Sequence, residues 1–503
     1  MLVAAGAELS NDEVYYRLYA LHLQWNYFDH PPMIAVLMRI FTANLLTQQE
    51  FFLRLGSIIC AAINTWQIYL IGRRLKDEYT GWLSACFFTA SIYAGILAGL
   101  MILPDAPQMV FWLGAASVML NILRPDTSKR KKNRQLILSG ILIGLCIMSK
   151  VHGLFLWAGF FLYLILYQRK MLRNPYLYLA VLTTGIIVLP ILLWNINNNF
   201  VTYLYHSNRV SIWNSKIQWD GFGRQVIGEF LYNNPINVVV IVISLFAAKR
   251  MKLTNELYQQ RLLLLLSLPL ICIVWLLALF RDTLPHWTGP AYTMLILLAA
   301  AYIRNTMATK GKFKLLPATI KASLILPLFL LTILLYSVNK LPAQIGSKDE
   351  LRLGAGDPLL DMSGWNSFAW QFRKLYENDL EKGNIRNPVT IVTDYWFPAA
   401  HLDYYVARPA GLNFLAVGSL NNIHQYAWIN PSRTPLLTGQ DAYYIAVSNY
   451  FDPLPLSLAS CFDKTEAPVI IPQYREKVIV RNFYIYRLRG YKGGIPQNGV
   501  IAN

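Results

Sequence analysis

Carboxylates, imidazoles and a lysine recur at short polar interruptions of an otherwise apolar chain. The first interruption reads Asn11-Asp12-Glu13-Val14-Tyr15-Tyr16 and continues to Tyr27-Phe28-Asp29-His30-Pro31-Pro32. The second is Leu103-Pro104-Asp105-Ala106-Pro107, and the third is Ser149-Lys150-Val151-His152-Gly153. The fourth is Pro285-His286-Trp287, preceded by Arg281 and Asp282. A further stretch holds Asn197, Asn198, Asn199, Tyr203, Tyr205, His206 and Arg209. His206 and Arg209 are three apart, so they share a face of any helix. A carboxylate can take a proton from an attacking hydroxyl, and cations or a metal can stabilise a departing phosphate. Together these groups are what transfer from a lipid-phosphate donor requires.

Each cluster also has a plainer reading. Asp12 and Asp105 can be helix N-caps, a position that favours Asp. Lys150 can snorkel to lipid headgroups, or it can hold a phosphate as a point charge. His286-Trp287 can be an anchor in an interfacial aromatic belt.

The elements that must carry these groups follow from composition. Of 503 residues, 55% are hydrophobic and only 14% are charged. Soluble domains usually carry about 25% charged residues, so the membrane class comes first. A spanning helix needs about 20 apolar residues, and about ten runs meet that test. They lie near 55–72, 80–101, 106–123, 135–149, 153–168, 177–194, 227–248, 262–280, 287–303 and 317–338. Every second loop between them is basic: Arg73, Arg74 and Lys76; Arg124 with Lys129 to Lys132 and Arg134; Arg169, Lys170 and Arg173; Lys249, Arg250 and Lys252; Arg304, Lys310, Lys312 and Lys314. The positive-inside rule places these loops in the cytoplasm and the polar clusters outside. The net charge of +18 is therefore largely a topology signal, and nucleic acid is excluded as a partner. Residues 14–25 form an amphipathic stretch that suits a helix lying along the interface.

Cys60, Cys86, Cys146, Cys272 and Cys461 form no C-x-x-C pair, so neither a zinc knuckle nor a disulfide framework is expected. The N-terminus lacks the layout of a signal peptide. Met1 to Ala7 reads like the last turns of a helix, and one further span upstream is expected. From about 339 Gly, Asp, Asn and Pro become frequent. Residues 365–381 have helical periodicity, and 388–395, 442–448 and 476–487 are rich in β-branched and aromatic residues. The expected organisation is a transmembrane domain over 1–338 and a soluble extracytoplasmic α/β domain over 339–503.

The ordered set D-E-x-Y-Y, Y-F-D-H-P-P, L-P-D-A-P, S-K, W-N and H-W-x-x-P resembles bacterial members of the protein O-mannosyltransferase and aminoarabinose lipid A transferase superfamily. The resemblance covers the membrane part and implies the GT-C fold, a polytopic α-helical architecture. It implies inversion at the sugar anomeric carbon with polyprenyl phosphate as leaving group. Asp12 matches the essential acid and is the candidate base; Glu13 stands beside it, and Asp105 matches a second outer acid. The aminoarabinose enzymes carry Phe-Glu-Lys-Pro where this chain has Phe28-Asp29-His30-Pro31. Their lysine meets the donor phosphate; here His30 stands at that position and Lys150 can supply the charge instead, and with Arg209 and His286 of the outer clusters they are the candidate phosphate ligands. Tyr205-His206-Ser207-Asn208-Arg209 resembles their H-x-x-R segment. Asp29 and His206 are thereby a candidate pair for a divalent metal: zinc, magnesium or manganese. The stretch Asn422-Ile423-His424-Gln425-Tyr426-Ala427-Trp428 matches no mechanism.

The expected function is transfer of a sugar from a polyprenyl-phosphate donor to a lipid, glycan or protein acceptor at the outer face of the bacterial cytoplasmic membrane. The alternatives are a transporter or flippase of lipid-linked glycans and a membrane-anchored scaffold. Acids placed at outer helix ends rather than at mid-membrane, and the absence of a visible repeat, count against a transporter.

Overall fold

The computed structural model describes residues 4, 6–213, 215–309 and 315–501. Of the Met1 to Ala7 stub, residues 1–3 and 5 lie outside the described residues, as do Lys310, Lys312 and Lys314 of the last basic loop. In chain order the longer helices are α1 (Asn11–Leu21), α2 (Met33–Phe41), α3 (Glu50–Leu75), α4 (Glu78–Ala90), α5 (Asp105–Ile122), α6 (Lys129–Ser149), α7 (Leu154–Tyr167), α8 (Pro175–Asn197), α9 (Val201–Val210), α10 (Trp219–Tyr232), α11 (Pro235–Ala248), α12 (Leu257–Ala278), α13 (Gly289–Thr309), α14 (Ala318–Lys340), α15 (Trp365–Glu381) and α16 (Trp396–His401). The strands are β1 (Val389–Thr393), β2 (Asn413–Ala416), β3 (Asp441–Val447), β4 (Phe462–Thr465), β5 (Val469–Arg475) and β6 (Val478–Tyr491). The chain forms two compact units: Leu23–Leu331, the helical unit, and Met1–His22 with Thr332–Asn503, the sheet unit.

Each apolar run of the sequence carries helix, and all but the end of the run at 317–338 lie in the helical unit. Among the described residues, four helices are long and apolar enough to cross a membrane: Glu50–Leu75, Pro175–Asn197, Leu257–Ala278 and Ala318–Val338. A fifth span arises if the pair α10 and α11, bent by 101°, is counted as one. About ten spans were expected from the 20-residue criterion, and the difference has local causes. The run at 80–101 ends as helix at Ala90 and continues as a wide π turn, Tyr93–Leu97. The run at 227–248 breaks at Asn234 (φ 67°), whose side chain caps Ile236 while Pro235 opens the next helix. Asn234 Nδ2 also reaches the carbonyls of Ala90 and Ser323 at 2.9 and 2.8 Å, so the break is held in place. In α13 every residue from Gly289 to Ala301 is buried.

Close helix packing uses small residues, as in other membrane bundles. A methyl on Gly140 of α6 would lie 2.3 Å from the carbonyl oxygen of Ala180 in α8.

The sheet unit is built on a six-stranded mixed sheet in the order β2-β1-β3-β6-β4, with β5 also on β6. β1 pairs in parallel with β2 and β3, while β6 is antiparallel to β3, β4 and β5. β1 and β3 are buried at every position, as central strands covered on both faces must be. On one face Phe368 stacks on Phe483 at 3.8 Å, and Phe372 packs on Tyr443 at 5.3 Å. On the other, Val392, Leu415, Tyr444, Leu458 and Leu488 form a second apolar cluster. The expected boundary between 338 and 339 moves to Leu331/Thr332, and residues up to His22 group with the sheet unit rather than with the helices. α1 causes this. Its side chains from Glu13 to Ala20 are all buried, unlike a helix lying half-exposed along an interface.

Gly140→Val forces two backbones apart, and overpacking of this kind costs about 1–3 kcal/mol. A lowered midpoint for thermal loss of the monodisperse peak in detergent is the expected result.

Candidate functional site

The polar tips of the helical unit converge on one buried ion pair. Lys150 ends α6 in extended conformation (φ −158°, ψ 138°), which turns its side chain away from the helix axis. Its Nζ donates to Asp105 Oδ2 at 2.7 Å, and both residues are at most 5% exposed. Tyr93, presented by the π turn, donates its hydroxyl to Asp105 Oδ1 at 2.9 Å. Such wide turns are frequent at functional sites. The Tyr93 ring fits only because residue 289 is glycine: a methyl there would lie 2.4 Å from the ring. Asp105 is the first residue of α5, after Pro104, so it is not the helix cap. Lys150 is buried and ion-paired, so it does not snorkel to headgroups.

A second wall comes from the loop before α2 and from α9. Asn26 Nδ2 donates to Thr202 Oγ1 at 2.9 Å, and Thr202 Oγ1 donates to the carbonyl of Tyr27 at 2.9 Å. His206 Nε2 donates to the main-chain carbonyl of Asp29 at 2.8 Å. These bonds zip the loop to α9 and set His30 and His206 with ring centres 6.4 Å apart. Arg209, one turn on, lies over the rings of Tyr205 and Trp287 at 5.6 and 5.7 Å. Trp287 also packs on His152 at 5.9 Å, so it belongs to the site and is not a lone belt anchor.

The third wall is the turn Pro285–Thr288, which carries His286. It is held by a buried carboxylate that sequence reasoning missed. Glu229 of α10 accepts from Gln225 Nε2 (2.6 Å), Trp275 Nε1 (2.9 Å) and Tyr292 Oη (3.0 Å). Thr283 Oγ1 donates to Gln225 Oε1 at 2.7 Å, so hydrogen bonds grip the turn from both flanks. Tyr93 was likewise missed, and His152 and Trp287 stood only as members of their clusters, without a role in the site. A buried acid inside an apolar run was the signal available for Glu229.

Electrostatics divide the labour among these groups. Burial, with Lys150 next, pushes His286 down to about 4 and His152 to about 3. Burial also lowers His206, and burial with Lys150 holds His30 well below the imidazole range. At neutral pH the imidazoles are uncharged hydrogen-bonding groups. Of the expected phosphate ligands His30, Lys150, Arg209 and His286, the charged ones are therefore Lys150 and Arg209. The site thus holds two cations, one of them already leaning on Asp105. An acid that accepts from both Lys150 and Tyr93 is a poor base, and its geometry suits orienting the lysine.

Asp12 and Glu13 lie in the sheet unit, on the first turn of α1. Ser10 occupies the N-cap position, and Glu13 accepts its backbone N–H at 2.9 Å. Asp12 is thus not the cap, and its residue is exposed. Glu13 is buried and spends an oxygen on this capping contact.

The metal pair fares differently. His206 commits Nε2 to the Asp29 main chain, which leaves its Nδ1 as the ring nitrogen for a ligand role. Among the described residues no three His, Cys, Asp or Glu side chains converge on a metal position. The pair does not make up a zinc set, which has three or four protein ligands.

Comparison with known proteins bears on the fold that carries this site. Residues 29–194 match the family described as dolichyl-phosphate-mannose-protein mannosyltransferase, a stretch that includes Asp29, His30, Asp105 and Lys150. The lipid A galacturonosyltransferase RgtD of Rhizobium johnstonii is 23% identical over 291 residues, 57% of this chain and 59% of that protein. The chain thus matches less than two thirds of that relative's length. Structures of ArnT from Cupriavidus metallidurans superpose over 96% of this chain. The apo form covers 94% of ArnT with a TM-score of 0.59 at 14% identity. The form bound to undecaprenyl phosphate covers 95% with a TM-score of 0.61 at 13% identity. The chain has the GT-C glycosyltransferase fold. In this GT-C protein the expected polytopic helical part and C-terminal α/β part are both present.

Lys150→Met leaves Asp105 charged and buried without its cation, and breaking such a pair costs about 3–5 kcal/mol. Adding Asp105→Asn removes the stranded charge. The double variant should recover part of the lost thermal stability, measured as a double-mutant cycle in detergent.

Proposed function

We propose that this GT-C protein is an inverting glycosyltransferase that moves a sugar from a polyprenyl-phosphate donor to a hydroxyl or phosphate acceptor at the outer face of the bacterial cytoplasmic membrane. The observation that carries the reading is the buried Lys150–Asp105–Tyr93 constellation, with Arg209 and neutral imidazoles around it, at the tips of apolar helices. Lys150 and Arg209 receive the phosphate charge, and His30 and His286 donate hydrogen bonds to it. Asp105 holds Lys150 in place. The acceptor oxygen attacks the anomeric carbon, the bond from that carbon to the phosphate oxygen breaks, and Asp12 takes the acceptor proton. The role of Asp12 rests on the D-E motif. The undecaprenyl phosphate bound to ArnT supports the donor class, and the name of RgtD supports a lipid acceptor. The alternation of basic loops with polar tips supports the outward orientation and an extracytoplasmic sheet unit.

A flippase draws support from one feature, the 101° break between α10 and α11, since transporters use interrupted helices. Vesicles reconstituted with a fluorescent polyprenyl-phosphate sugar separate the readings: scrambling without transfer favours the flippase.

Purified protein incubated with a panel of undecaprenyl-phosphate sugars and lipid A, glycan and peptide acceptors should consume one donor and modify one acceptor by mass spectrometry. Asp12→Asn should reduce that transfer to background while the protein stays monodisperse. Full activity in Asp12→Asn sinks the assignment of the base.

A further inference from the structure

The segment bearing Asp12 is tied into the sheet unit at every turn. Glu8 accepts the backbone N–H groups of Trp365 and Asn366, each at 2.9 Å, and so places its carboxylate on the N-terminus of α15. The Leu9 N–H donates to Tyr405 Oη at 2.8 Å. Asn11, the residue before Asp12, is gripped at both ends of its amide. His401 Nε2 lies 2.9 Å from Asn11 Oδ1, and Asp361 hydrogen-bonds the same side chain. An amide oxygen only accepts, so the proton of His401 is on Nε2.

His401 has little freedom of its own. It is 0% exposed, and its ring stacks on Trp365 at 4.1 Å with 2° between planes. The Arg481 guanidinium lies 4.3 Å from the Trp365 ring centre. Burial, with Arg481 nearby, holds the imidazole well below its usual range, so it stays a neutral donor. One turn further, Tyr15 packs on Trp396 at 4.7 Å, and Trp396 stacks on His424 at 5.4 Å. Gln425 N–H donates to Tyr15 Oη at 3.2 Å, and Arg17 lies over Tyr404 at 4.6 Å. The stretch around His424, which had no mechanism in the sequence, is thus a seat for α1.

We infer that His401 and Asn11 are positioning residues for Asp12, and that one task of the sheet unit is to hold the start of α1 rigid. The inference rests on Asp12 being the base. First turns of helices fray unless tied down, and Asp12 sits on one. Pinning its neighbour removes that motion. Misplacement of a reacting group by about 1 Å can cost about 100-fold in rate.

The test uses the full chain in detergent with the undecaprenyl-phosphate sugar consumed in the panel above. His401→Phe keeps the stack on Trp365 and removes the hydrogen bond. Asn11→Ala removes the same bond from a half-buried site, should the first variant fold poorly. Each should lower kcat about 10- to 100-fold with KM for the donor unchanged, and should speed amide hydrogen exchange over residues 11–16. His401→Gln, which keeps a donor, should restore most of the rate. Wild-type kcat in both variants, with Asp12→Asn inactive, overturns the positioning role alone. Full activity in Asp12→Asn overturns the base reading beneath it. Unchanged exchange over residues 11–16 in both variants overturns the clamp whatever the activities.

Discussion

The helical unit turns on the ion pair between Lys150 and Asp105. Neither residue can be buried alone, because an isolated charge in an apolar interior costs several kcal/mol. Together, with the Tyr93 hydroxyl as a third member, they satisfy one another. The pair fixes the end of α6 against the start of α5, and the π turn and Gly289 are shaped to deliver Tyr93 to it. A lysine held this way spends one of its three N–H donors on the acid. Preorganised donors of that kind need no rearrangement when charge develops on a leaving phosphate.

The surrounding groups follow from this centre. Burial, with the Lys150 cation second, lowers the imidazoles, so His30, His152 and His286 remain neutral and leave the charge to Lys150 and Arg209. Neutral rings can be packed closely; charged rings at such distances would repel each other and the lysine. Glu229 solves a similar problem on the far side, where Gln225, Trp275 and Tyr292 share one carboxylate and anchor the His286 turn.

The sheet unit uses aromatic stacking where the helical unit uses charge. Trp365 with His401, and Trp396 with His424 and Tyr15, make rigid surfaces, and α1 is keyed into them by single hydrogen bonds. Glu13 shows how the same letters can serve different ends. The D-E motif names two acids, but one caps its own helix and only the other is exposed.

Much of this protein was legible in the residue order. Apolar runs of helical length, basic residues in alternate loops and polar tips are local patterns, and they specified the membrane class; the GT-C fold was implied by the resemblance that the motif order carries. The central strands β1, β3 and β6 were legible in their β-branched and aromatic runs. β2, β4 and β5 were not, being short or mixed in burial. The motif order also marked Asp105, Lys150, His30, His206, Arg209 and His286 as one constellation. It could not say that Asp105 answers Lys150 across 45 positions, or that His401 answers Asn11 across 390. Nor could it join the first 22 residues to the last part of the chain. Pairings of that kind depend on which surfaces meet after folding, and no local periodicity encodes them. Charge state followed the same division, since burial and neighbours, not residue type, decide whether a histidine carries a proton.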